Sequence, residues 1–94
     1  MKPALMKHYL VLLFRRPQLD PAVVPLHQQF LQELHAQGHN ELFGRFSNPS
    51  PSGQAGGAYL LRAETIDEAW AIVHRDPAYT SGGWDMTVYE WMTH

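Results

Sequence analysis

The sequence contains no cysteine, which excludes disulfides and thiolate chemistry. It also lacks a dominant charge: seven lysines and arginines stand against nine aspartates and glutamates, a net charge of -2. Such a chain offers neither nucleic acid nor an anionic membrane an electrostatic reason to bind, and its arginines form no extended run. Long hydrophobic stretches are missing too. None approaches the ~20 residues that cross a bilayer. The apolar segment Tyr9–Phe14 is too short for a signal-peptide core and has no small-residue cleavage site behind it. A cytoplasmic location is the resulting expectation. Phosphate loop, dinucleotide fingerprint and nucleophile elbow are absent, and Ser52-Gly53 lacks the strand–turn–helix setting of the last, so no cofactor is expected. Six histidines are many for 94 residues. Yet His35 and His39 straddle Gly38, where a helix should end, and no third ligand falls at metal-binding spacing. His8, His74 and His94 have no evident partner, so surface histidines are the better account and no metal site is expected.

What is present fits one domain over residues 1–94, with room for a modest core. His8–Phe14 is a short apolar run closed by Arg15-Arg16-Pro17, which reads as a strand entering a turn. Pro25–Gln37 has Leu26/His27, Phe30/Leu31 and Leu34 at helical spacing, with glutamines and Glu33 opposite. Pro25 suits the first helical position, the alternative being a start capped by Asp20, and Gly38 suits the end. His39–Phe46 is a weaker strand. Ser47–Gly57 is a loop by composition, either disordered or a ligand lid. Ala58–Ala63 is a third strand. Thr65-Ile66-Asp67-Glu68 is a capping box that opens a second helix reaching about His74, and Asp76-Pro77 stops it. Trp84–Met92 is the last strand. The order βαββαβ with an antiparallel sheet is that of a ferredoxin-like α+β fold.

Two helices cover only one face of a four-stranded sheet. The first strand nevertheless carries Tyr9, Val11 and Leu13 on one side and Leu10, Leu12 and Phe14 on the other. The last strand repeats the pattern, with Met86 and Val88 against Tyr89 and Trp91. An uncovered face of this kind exposes more apolar surface than soluble monomers tolerate, so a homodimer or higher even assembly is expected. The element order also brings three connections to one end: Arg15–Val24, Gly44–Gly57 and Arg75–Gly83. His27, near the start of the first helix, and Asp76, just past the second, therefore share a rim. Arg15, Arg16 and Arg45 lie on two of those connections, where they can bind a carboxylate or phosphate or stay solvated. Tyr79 and Trp84 can line a pocket or pack the core.

Several short motifs follow one another at spacings similar to those of the YCII-related family. They are Pro25-Leu26-His27 with Leu31, Leu34-His35 and Gly38; Gly44; Asp76-Pro77-Ala78 with Gly82; Trp91; and Phe14-Arg15-Arg16-Pro17. The resemblance runs from Lys7 to Trp91. It implies a ferredoxin-like, dimeric α/β-barrel arrangement and a His27–Asp76 pair proposed as an active site. The binding positions expected around that pair are Arg16, Gly44, Arg45, Tyr79 and Gly82. The Pro/Ser-rich 47–57 loop departs from the family pattern. His27 would act as general base or acid while Asp76 fixes its tautomer and stabilises the imidazolium. Alternatively, His27 packs on an apolar stripe and Asp76 is a turn residue before proline. Three functions remain open on the sequence: an acid/base enzyme of lyase or isomerase type acting on a small organic molecule, a non-catalytic small-molecule-binding module, and a structural dimerisation partner.

Overall fold

The computed structural model describes residues 6–47 and 55–93. Its elements run β1 (Lys7–Arg15), α1 (Val23–Ala36), β2 (Asn40–Arg45), β3 (Gly57–Ala63), α2 (Ile66–Val73), α3 (Pro77–Thr80) and β4 (Trp84–Trp91). The four strands form one sheet in the order β2-β3-β1-β4, every pair antiparallel. This is the ferredoxin-like arrangement expected from the element order. Much of the Ser47–Gly57 loop, residues 48–54, lies outside the described residues, as does His94.

Strand periodicity sorts the side chains. Tyr9, Val11 and Leu13 of β1 and Tyr59, Leu61 and Ala63 of β3 are buried beneath α1 and α2, together with Trp84 and Met86 of β4. Leu31 and Leu34 of α1 and Ala69, Ile72 and Val73 of α2 close this core from above. His27 shares the inward row of α1 with Leu31 and Leu34, whereas Leu26, one helical step aside, is 54% exposed and not part of the buried stripe.

In β2 the alternation is broken on purpose. Asn40 pairs with Leu61 and Leu42 with Leu60, so Glu41 is an extra residue, a β-bulge. Without it, Leu42 would follow Asn40 to the helix side. With it, Leu42 turns outward while Phe43 and, by the same alternation, Arg45 face the helices. One residue of slippage thus decides which β2 side chains reach the core side.

The helix ends show where local chemistry overrode simple placement. Helix α1 starts at Val23, two residues before Pro25. The first four N–H groups of a helix have no intrahelical partner, so proline is tolerated at the third position as well as the first. Asp20 takes part without being the cap: its Oδ1 accepts from Ala22 N–H at 3.0 Å and its carbonyl from Val23 N–H at 3.0 Å. The other end closes as a Schellman motif, with Gly38 at φ +80, its N–H donating to His35 O and His39 N–H donating to Leu34 O. Thr65 caps α2, its hydroxyl accepting from Glu68 N–H at 3.1 Å. Beyond α2 the sequence Asp76-Pro77 predicts only a stop. Asp76 instead caps the one-turn helix α3, with Pro77 at its first position. No helix among the described residues is long and apolar enough to cross a membrane.

Candidate functional site

Three backbone contacts draw the loops of one sheet end together. Arg16 N–H donates to Gly83 O at 3.0 Å, Gly56 N–H to Leu13 O at 2.9 Å and Phe46 N–H to Gly56 O at 2.9 Å. Helix α1 begins at this end and α3 follows Asp76 there, so His27 and Asp76, 49 residues apart, come into contact.

His27 Nδ1 lies 2.8 Å from Asp76 Oδ1 and 2.9 Å from Oδ2. The carboxylate is fully buried and receives two further donors, Ala78 N–H at 2.8 Å on Oδ1 and the Tyr59 hydroxyl at 3.1 Å on Oδ2. Burying a carboxylate without such donors would cost several kcal/mol, roughly, and here each oxygen is satisfied twice. Nδ1–H is therefore the donor to the carboxylate, and in the neutral ring the lone pair is on Nε2. The imidazole keeps 13% of its side-chain surface, and with Nδ1 turned toward a buried group that exposure belongs to the other end of the ring. Trp84 and Tyr59 flank it, with ring centroids at 5.6 and 6.3 Å. Burial, then the Asp76 charge and the hydrogen bond to it, push the Tyr59 phenol well above its usual range, so it stays a donor.

His27 opens onto a cavity of about 590 Å³ between α1 and the β1–β3 end of the sheet. Its apolar wall includes Leu13, Leu31, Phe43 and Trp84. Its polar wall comprises Gln28 and Gln32, one turn apart on α1, with Arg15 and Arg45 at the strand ends. Among the described residues, no three His, Asp or Glu side chains are grouped so as to hold a metal ion.

The structure brings His27, Asp76, Gly44, Arg45 and Trp84 to this cavity or directly behind it. It sends the other expected positions elsewhere. Arg16 follows Leu10, Leu12 and Phe14 to the opposite side of the sheet, donates from Nε to Asp85 Oδ1 at 2.8 Å, and pairs with the same oxygen through Nη2. That hydrogen bond, helped by the guanidinium charge, lowers the Asp85 carboxyl below its usual range. Tyr79 is 41% exposed and stacks on His74 at 4.6 Å. Gly82, at φ +73, turns the chain from α3 into β4, and its carbonyl faces the Arg16 and Gln18 side chains, each at 3.5 Å. Tyr59, Gln28 and Gln32 were not singled out from the sequence. The inward strand position of Tyr59 was legible, but its contact with Asp76 depends on where α3 begins.

Comparison with known proteins agrees with this architecture. The YCII-related domain profile matches residues 6–92. The uncharacterized protein YjpA of Bacillus subtilis (strain 168) is 36% identical over 83 residues, which span 88% of this chain and 92% of that one. The 5-chloro-2-hydroxyhydroquinone dehydrochlorinase of Burkholderia phenoliruptrix AC1100, solved with 2,5-dihydroxybenzoquinone, superposes with a TM-score of 0.69 at 18% identity, over 93% of this chain and 95% of that one. A dimeric protein of unknown function and ferredoxin-like fold from Bacteroides fragilis NCTC 9343 gives a TM-score of 0.51 at 16% identity, over 92% and 96% of the two chains. At those identities the two structures share the fold, and one of them is an enzyme. By its family match, and by its likeness to YjpA, the chain belongs to the YCII-related domain family.

Proposed function

We propose that the protein is an acid/base catalyst of lyase or isomerase type, with His27 moving the proton. The observation that carries this reading is the division of labour between the two ring nitrogens. Nδ1 is held by a buried, fully hydrogen-bonded Asp76, while Nε2 is left with its lone pair beside a cavity large enough for a small organic molecule. Nε2 would take a proton from an acidic C–H or O–H of the bound molecule. The imidazolium so formed faces the Asp76 carboxylate, which stabilises it in place, and the same nitrogen then returns the proton elsewhere on the molecule or to a leaving group. The hydrogen bond to Asp76 sets the ring's orientation, with Trp84 and Tyr59 flanking it. The dehydrochlorinase of the same fold is compatible with elimination chemistry on this scaffold, although its 18% identity speaks for the fold and not for the site.

The test is to incubate the protein with a panel of small hydroxy, keto and halo acids in D2O and follow deuterium entry or product by proton NMR. For a compound that reacts, His27→Ala should lower the rate about 10²- to 10⁴-fold, with the circular dichroism spectrum unchanged. An unchanged rate in that variant sinks the proposal, and saturable binding without exchange or product favours a binding module in the same cavity.

The opposite face of the sheet supports self-association. Leu42, Tyr89 and Trp91 there are 71%, 55% and 52% exposed, and Leu42 and Trp91 border, with Leu10 and Leu60, an apolar cleft of about 300 Å³. We read this face as the contact between two copies, in keeping with the dimeric protein of the same fold. Leu10 sits at its centre, paired with both Leu60 and Tyr89. Sedimentation should give a dimer for the wild type and a folded monomer for Leu10→Asp; a monomeric wild type at micromolar concentration contradicts the reading.

A further inference from the structure

The cavity beside His27 has an unusual charge balance. In a chain with an excess of acidic residues, its lining contains two guanidinium groups and no aspartate or glutamate. Asp76 lies behind the histidine, its oxygens already occupied by His27, Tyr59 and Ala78. Arg15 and Arg45 reach the cavity for the same geometric reason. Arg15 continues the inward series Tyr9, Val11 and Leu13, while the Glu41 bulge turns Arg45 to that side with Phe43. Between their strands, β3 presents Gly57, which pairs with both Leu13 and Arg45 and has no side chain to separate the two arginines from the cavity.

Neither guanidinium has an ion-pair or hydrogen-bond partner among the described residues, in contrast to that of Arg16, held by Asp85, and that of Arg62, held by Glu41. Two unpaired cations facing one concavity repel each other, and an anion bound there relieves that repulsion while offering each a charge-assisted hydrogen bond. Guanidinium matches the planar fork of a carboxylate. Arg15 pairs across the sheet with Trp84, and the Trp84 ring lies 5.6 Å from that of His27. One wall therefore runs from a cation, past a flat aromatic surface, to the ring nitrogen that would move the proton.

We propose that this cavity binds a small planar organic acid, its carboxylate held by Arg15 and Arg45 at the mouth and its unsaturated body lying along Trp84 toward His27. The inference deepens the acid/base reading, on which it rests only for which end of the ligand reacts. Gln28 and Gln32 line the facing side and offer neutral donors and acceptors to hydroxyl or keto substituents.

Titration calorimetry on the full chain tests it with benzoate, its neutral isostere benzamide, and inorganic phosphate. Benzoate should bind at least about tenfold more tightly than benzamide, and that preference should shrink with added salt. Arg15→Gln and Arg45→Gln should each weaken benzoate about five- to tenfold and leave benzamide within about twofold. Arg16→Gln, on the other side of the sheet, should change neither. Equal affinities for benzoate and benzamide, or wild-type benzoate binding in both arginine variants, overturns the proposal. So does phosphate binding as tightly as benzoate, which would make this a phosphate site. His27→Ala separates the two readings: it should retain the preference for benzoate, so anion selectivity can stand or fall whether or not His27 transfers a proton.

Discussion

Replacing Asp76 by alanine and by asparagine separates what its shape contributes from what its charge does. Alanine removes the acceptors of three donors at once: His27 Nδ1–H, the Tyr59 hydroxyl and Ala78 N–H. The histidine side chain, 13% exposed, can turn toward water. Tyr59 and Ala78 are 1% and 0% exposed, so their donors cannot. Leaving a buried donor unpaired costs about 1–3 kcal/mol, so the two together amount to roughly 2–6 kcal/mol. Releasing the desolvated carboxylate offsets part of this, and the net loss expected is about 2–4 kcal/mol. That is a large share of the roughly 5–14 kcal/mol typical of a domain this size. Asparagine differs. Its carbonyl can still accept from Ala78 N–H and His27 Nδ1–H, and its amide can donate to the Tyr59 oxygen, which accepts as well as donates. Asp76→Asn should therefore cost under about 1.5 kcal/mol. In urea unfolding followed by tryptophan fluorescence, the alanine midpoint should fall well below that of asparagine at equal slope. The melting temperature of the alanine variant should drop by roughly 10–25 °C. An alanine variant within about 0.5 kcal/mol of wild type, or an asparagine variant as unstable as alanine, refutes the reasoning. If His27 catalyses, the asparagine variant is also the informative one, because it should remain folded while losing the charge that stabilises the imidazolium.

Three other outcomes follow from the same contacts. Tyr59 holds its proton more tightly folded than unfolded, so its contribution is complete below the unfolded pKa of about 10 and is lost as pH rises toward the higher folded value. Tyr9 is buried and raised in the same sense, so absorbance titration should show a phenolate step coinciding with alkaline unfolding that loses one tyrosine's share of its amplitude in Tyr59→Phe; an undiminished step contradicts the burial argument. Asp85 behaves in the opposite sense: its hydrogen bond from Arg16 lowers the folded value, so the pair contributes above the ordinary carboxylate pKa of about 3.9 and is lost as pH falls through the lower one. In Arg16→Gln the Asp85 carboxyl should titrate at higher pH by NMR, and no movement would count against the pairing. Finally, a Cβ on Gly57 would stand 2.8 Å from the Gly44 carbonyl oxygen, whereas one on Gly44 meets nothing within 4 Å. Gly57→Ala should cost about 1–3 kcal/mol and Gly44→Ala close to none, with equal melting temperatures deciding against it.

Strand alternation explains both what the sequence disclosed about this site and what it hid. The element order announces a sheet covered by helices on one side and places His27 and Asp76 at one end, while the apolar residues of β1 on both faces point to a partner for the uncovered side. The same alternation, applied one step further, assigns Arg15 to the core side with Tyr9, Val11 and Leu13, and Arg16 to the other. Family resemblance had favoured Arg16, because a motif records neighbours along the chain and carries no information about faces. For β2 even a careful count of alternate residues fails. Asn40 is buried and Leu42 is 71% exposed, and only the Glu41 bulge reconciles them. A bulge leaves no mark in this segment, since Asn-Glu-Leu-Phe-Gly-Arg contains neither a proline nor a glycine at the extra residue. Short capped turns hide in the same way. Asp76-Pro77 reads equally as the end of one helix and the start of another, and the difference decides whether the carboxylate points to solvent or turns inward to Ala78 N–H, Tyr59 and His27. Pattern along the chain thus located the rim, while the roles of individual residues on it followed from two local irregularities, a bulge and a single-turn helix, whose outcome is fixed by packing across the fold.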